Sequence, residues 1–172
     1  MRKPRILKAD ARYHVTARTH RKEMTLESRR TKVLFLGIVA KAKRRYRFSI
    51  ENFSIMGNHV HFIIKPHESA NLSRIMQWIK GVFAMTYNRI HQITGSFWGG
   101  RFYSRVLADL SDLFHTFGYI DMNPVRANLV NLPKEWCFGG LFHRKCGRSD
   151  IVDPMPPGLD ILLPDHSILL LI

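Results

Sequence analysis

The chain has 172 residues, of which 45% are hydrophobic and 23% charged, a balance that suits one globular domain with a tail and excludes a disordered chain. Lys and Arg number 27 against 13 Asp and Glu, a formal net charge of +14, which disfavours self-association and favours a polyanion, most simply a nucleic-acid backbone. The two cysteines, Cys137 and Cys146, form no disulfide framework and lack zinc-site spacing, so a reduced, cytoplasmic setting is expected.

In chain order, the first ten residues, M-R-K-P-R-I-L-K-A-D, are charged and carry no signal-peptide run. Residues 13–19, Y-H-V-T-A-R-T, alternate and contain β-branched side chains, which predicts a first strand before the basic turn His20-Arg21-Lys22. Residues 25–45 contain neither proline nor a turn cluster. There Leu26, Val33, Leu36 and Val39 predict a helix whose basic end, Lys41 to Arg45, either complements the helix dipole as a solvated face or meets DNA.

A second strand over 47–55 is expected to join a third through a tight Gly57-Asn58 hairpin. Asn71 is placed to cap a long helix with apolar residues Leu72, Ile75, Met76, Ile79, Val82, Phe83 and Ile90 at helical spacing. Residues 95–100 break the chain and 102–107 read as a fourth strand. A last helix, with an apolar stripe of Leu110, Leu113, Phe114, Phe117 and Ile120, is expected to stop at Pro124. This order predicts an α+β, ferredoxin-like βαββαβ fold with an antiparallel sheet and an added C-terminal helix.

Two stretches carry chemistry. In M-G-N-H-V-H-F-I-I-K (56–65), strand alternation sends His59 and His61 to one face and Val60, Phe62 and Ile64 to the other. Two neighbouring imidazoles are either half of a metal site or an ordinary exposed strand face. On the last helix Asp112, His115, Tyr119 and Asn123 share a side, and Tyr119 lies one turn from Asn123. A phenol and an amide close to two imidazoles suit covalent phosphoryl chemistry: a metal polarises a phosphodiester, the tyrosine attacks phosphorus and the amide oxygen completes the metal shell. Taken alone, Tyr119 equally suits a helix–sheet seam.

The strand M-G-N-H-V-H-F-I-I, then F-W-G-G-R-F-Y-S and G-Y-I-D-M-N-P-V-R-A-N-L-V, resemble the single-tyrosine HUH transposases, and most nearly their REP-associated branch. The resemblance runs over residues 13–136. It implies His59 and His61 as metal ligands, Tyr119 as the nucleophile that forms a 5′-phosphotyrosine with single-stranded DNA, and Mg²⁺ or Mn²⁺ as cofactor. Asn123 matches the position of a third ligand, acting directly, through a water or with help from His115. Members of this family cut and rejoin single-stranded DNA beside a short hairpin, as homodimers or as monomers. Hairpin contacts are expected from Arg12, Arg18, Arg21, Lys22 and Arg101, with Trp98 either a base-stacking platform or core.

The expected division is a catalytic domain over 1–136 and a C-terminal extension over 137–172, with a Pro-rich linker D-P-M-P-P-G and an apolar tail too short to span a bilayer. No membrane association is expected, because the basic residues are spread from Arg2 to Arg148 and not gathered on one amphipathic helix. A non-catalytic hairpin-binding protein and a metal-dependent phosphodiesterase that uses water are the alternative functions.

Overall fold

The computed structural model describes residues 8, 10–68 and 70–159. Four strands, β1 (Arg12–Arg18), β2 (Phe48–Ile55), β3 (His59–Pro66) and β4 (Tyr103–Leu107), form one antiparallel sheet in the order β2-β3-β1-β4. Helices α1 (Arg29–Arg45) and α2 (Leu72–His91) make the two crossovers, and α3 (Leu110–Arg126) follows β4. This is the expected ferredoxin-like α+β arrangement with an added helix.

One sheet face is dry. Val15, Ile50, Phe53, Phe62 and Ile64 pack with Phe35, Ile38 and Val39 of α1 and Ile75, Ile79 and Phe83 of α2 in the main core. Helix α1 starts four residues later than expected, because Leu26 is buried with its amide bonded to the Gly57 carbonyl and Ser28 caps the helix by accepting from the Thr31 amide. Asn71 caps α2 as expected, accepting from the Ser73 and Arg74 amides. Ile90, expected in the α2 stripe, is exposed.

The opposite face has a smaller core of Ile63, Leu107, Leu113, Phe117, Ile120 and Leu159 under α3. Leu110, expected in that stripe, is 66% exposed, since it lies in the first turn before the helix reaches the sheet. Nor does α3 stop at Pro124. The proline lacks the N–H that would reach the Ile120 carbonyl. It is nevertheless buried, and the next amides still bond backwards, Ala127 to Asn123 and Leu129 to Pro124. Packing therefore outweighs the local cost, and the helix runs on to Arg126.

A bulge in β2 between Ile50 and Asn52 keeps Ile50 and Phe53 in the main core. It turns Glu51 to Arg12, and Asn52 to Asp121 of α3 at 3.0 Å. Residues past 136 pack on the same strand. Gly140 opens the short helix α4 (Gly140–Lys145) so close to β2 that a Cβ there would meet the Asn52 amide oxygen at 2.2 Å. Ile151 and Val152 join the main core, and the Asp153 carboxylate accepts from the Ile50 amide at 2.7 Å and from Lys43 Nζ at 2.6 Å. Of the apolar tail, residues 160–172 lie outside the described residues. No helix among the described residues is long and apolar enough to cross a membrane.

Candidate active site

The strand register assembles the site. In the β1–β3 pair Thr16 lies opposite His61 and Arg18 opposite His59, while on the other side of β1 Arg105 lies opposite His14. Since Tyr13, Val15 and Ala17 enter the main core, His14, Thr16 and Arg18 share the α3 side with the two histidines of β3.

His59 and His61 meet edge to face, with ring centroids 4.9 Å apart. Each has its Nδ1 engaged: that of His59 lies 2.7 Å from Asn58 Oδ1, and that of His61 lies 3.0 Å from His14 Nε2 and 3.2 Å from Thr16 Oγ1. The His61 Nε2 is buried and has no hydrogen-bond partner. Burial, followed by the Arg18 charge, lowers His59 to about 4. Burial, then the neighbouring His59 and His14 and the Arg18 charge, lowers His61 to about 3. At neutral pH both rings are uncharged and hold a lone pair for a ligand.

Helix α3 brings in Tyr119, a residue 42% exposed. It stands edge-on to His61 at 5.5 Å between centroids and to His14 at 6.0 Å, and the Arg126 guanidinium lies 5.8 Å from its centroid. A cleft of about 300 Å³ beside it is lined by His14, Arg105, His115, Thr116 and Tyr119. Asn123, one turn on, is half-buried, and its buried Nδ2 has no hydrogen-bond partner. His115 is exposed, with Nδ1 against the Ser111 carbonyl at 2.8 Å.

This donor set fits a divalent ion in part. The two histidines leave Nε2 as the nitrogen not already engaged, and His61 Nε2 is a buried atom in need of a partner. Among the described residues no group of three His, Cys, Asp or Glu could hold a metal ion. Further ligands would therefore come from an amide such as Asn123, from substrate oxygens or from water.

Outside this cluster the expectations divide. Trp98 is core and not a platform: it is 6% exposed, packs against Phe35, Phe83 and Phe97, and donates from Nε1 to the Lys80 carbonyl at 3.0 Å. Arg12 is half-buried and donates from Nε to both Glu51 carboxylate oxygens at 2.9 and 2.7 Å, an ion pair that ties β1 to β2. Arg18, Arg21, Lys22 and Arg101 are exposed. Sequence reasoning missed His14, Arg105 and Arg126. For His14 a signal existed, since it alternates with Tyr13 and Val15; its partner strand was set only by the sheet order.

The profile of the IS200-like transposases matches residues 8–111. The chain belongs to that family. A Haemophilus influenzae relative that carries the name of the REP-associated tyrosine transposases is 26% identical over 109 residues, which takes in 58% of this chain. The chain spans about six tenths, 61%, of that relative's length. A solved structure of a REP-associated tyrosine transposase bound to a REP hairpin superposes with a TM-score of 0.71 at 22% identity, over 90% of this chain and 88% of that one. The likeness of fold to that structure covers more of the chain than the profile match does.

Proposed function

We propose that this chain cuts and rejoins single-stranded DNA beside a hairpin, with Tyr119 as nucleophile and Mg²⁺ or Mn²⁺ held through His59 and His61. The observation that carries this reading is the phenol of Tyr119 against the His61 ring, 5.5 Å between centroids within one chain. Family membership supports it, as does the hairpin bound by the structural relative. Both halves of the site come from one protomer, so the reading requires no homodimer.

The Tyr119 oxygen attacks phosphorus and the bond from phosphorus to the 3′-oxygen breaks. The 3′-oxygen takes up a proton and departs as a free hydroxyl, the phenol proton passes to solvent, and the 5′ end stays on the tyrosine. Attack by a 3′-hydroxyl reverses the exchange, so one phosphodiester replaces another and no nucleotide cofactor is consumed. Arg126 over the ring, and Arg105 beside the cleft where it pairs with Asp112 at 2.9 Å, would face a phosphate bound at Tyr119. When bound, the divalent ion supplies Lewis-acid polarisation of the scissile phosphate. His59 and His61 would hold it through Nε2, with the Asn123 amide as the candidate third donor and His115, exposed on the same helix, as the weaker alternative.

The test is incubation of a labelled single-stranded hairpin with Mn²⁺ or Mg²⁺, followed by denaturing electrophoresis. The wild type is expected to form a denaturation-resistant adduct. Tyr119→Phe should form none while still shifting the hairpin in a native gel, and His61→Ala should lose cleavage but keep much of the charge-driven binding. Binding without an adduct under either metal overturns the transferase reading. Cleavage without an adduct that survives in Tyr119→Phe assigns the chain to water-using phosphodiesterases.

A further inference from the structure

His14 has no place in the chemistry above, yet its ring touches both His61 and Tyr119. Its Nε2 lies 3.0 Å from His61 Nδ1, the two ring planes differ by 24° with centroids 5.2 Å apart, and the Tyr119 ring meets its edge at 6.0 Å. Nearby, Thr16 Oγ1 lies 3.2 Å from His61 Nδ1, and Arg105, paired with Asp112 at 2.9 Å, faces His14 from β4.

We infer that His14 is a positioning residue that fixes His61 as the Nδ1–H tautomer and so turns its Nε2 lone pair toward the metal position beside Tyr119. One proton is shared across the 3.0 Å contact, so only two arrangements exist. If His14 donates, His61 must carry its other hydrogen on Nε2, and that buried N–H has no acceptor. If His61 donates, Nε2 is a bare acceptor, which proteins leave unpaired at lower cost than an orphaned N–H and which a metal would satisfy. Thr16 does not decide the matter, because a hydroxyl donates or accepts equally well. Metal-ligating histidines usually give their second N–H to a carboxylate or a carbonyl; here a second imidazole takes that part.

The metal role rests on the function proposed above, whereas the tautomer does not, so the two fail separately. Long-range ¹H–¹⁵N NMR of the metal-free, ¹⁵N-labelled full chain reads the His61 tautomer directly. Wild type and His14→Gln, whose amide oxygen still accepts, are expected to show Nδ1–H. His14→Phe, which keeps the ring but not the acceptor, is expected to show a mixture of tautomers. Mn²⁺ titrations followed by electron paramagnetic resonance should then show about 10–100-fold weaker binding in His14→Phe, with His14→Gln restoring affinity. A His61 that carries its proton on Nε2 in the wild type, or a His14→Phe protein with an unchanged tautomer, overturns the inference. Intact tautomer behaviour in a wild type that binds no Mn²⁺ sinks the metal reading and leaves the positioning role standing.

Discussion

Val15, Phe62 and Ile64 face helices α1 and α2, whereas His14, Thr16 and His61, one residue away along the same strands, face α3. The first face is packed mainly by aliphatic and aromatic side chains. The second face is a row of specific partners: Arg105 beside His14, His14 on His61, Glu51 on Arg12, Asn52 on Asp121. It also leaves a gap in which Tyr119 is open to solvent. The dry face holds the strands rigid; the polar face uses that rigidity to keep imidazoles and phenol in place without a large core of its own. A site built on neighbouring strands needs this asymmetry, because the register that aligns two histidines with a third also commits the alternate residues to the opposite side.

The contrast is most easily broken from the dry side. Phe62→Ala should cost about 3–5 kcal/mol in urea unfolding, since Phe62 is fully buried against Phe35 and Phe53 and its removal leaves a cavity. A loss of similar size in Tyr119→Phe would erase the distinction between the faces. On the polar side Arg12→Ala should cost about 2 kcal/mol, because it strands the carboxylate of Glu51, whose side chain is only 7% exposed. Chemical denaturation measures both.

Acid should weaken the polar face through its buried imidazoles. In the unfolded chain the imidazoles of His14, His59 and His61 take up protons near 6.5, while in the folded protein they stay neutral down to about 4, 4 and 3. Between those values the unfolded chain binds more protons, so stability falls as pH drops from 6.5 toward 4. Metal-free unfolding at pH 7.5 and pH 5 checks this, and His61→Gln should show the smaller drop. The smallest expected effect belongs to the exposed cations: Arg21→Ala should weaken hairpin binding modestly and lower the slope of log affinity against log salt by about 1.

The elements differ in how far they were legible from residues alone. Helix α2 was clear because its cap and its apolar period agree, and the two histidines of β3 fell on one face by alternation. The end of α3 was misplaced, because the local rule for proline yields to burial of Pro124. Trp98 could have been platform or core until its ring was seen packed among Phe35, Phe83 and Phe97. The ion pair of Arg12 with Glu51 was not legible, because the two are 39 residues apart.

The sequence by itself determined the periodicities, the excess of positive charge and the pairing of His59 with His61, since each depends only on neighbours along the chain. Only the tertiary structure decided that Tyr119 stands against His61 of its own chain and that His14 completes the cluster. Those contacts join residues 58 and 47 positions apart, and they exist only because the sheet order sets β1 beside β3 while α3 folds back over both.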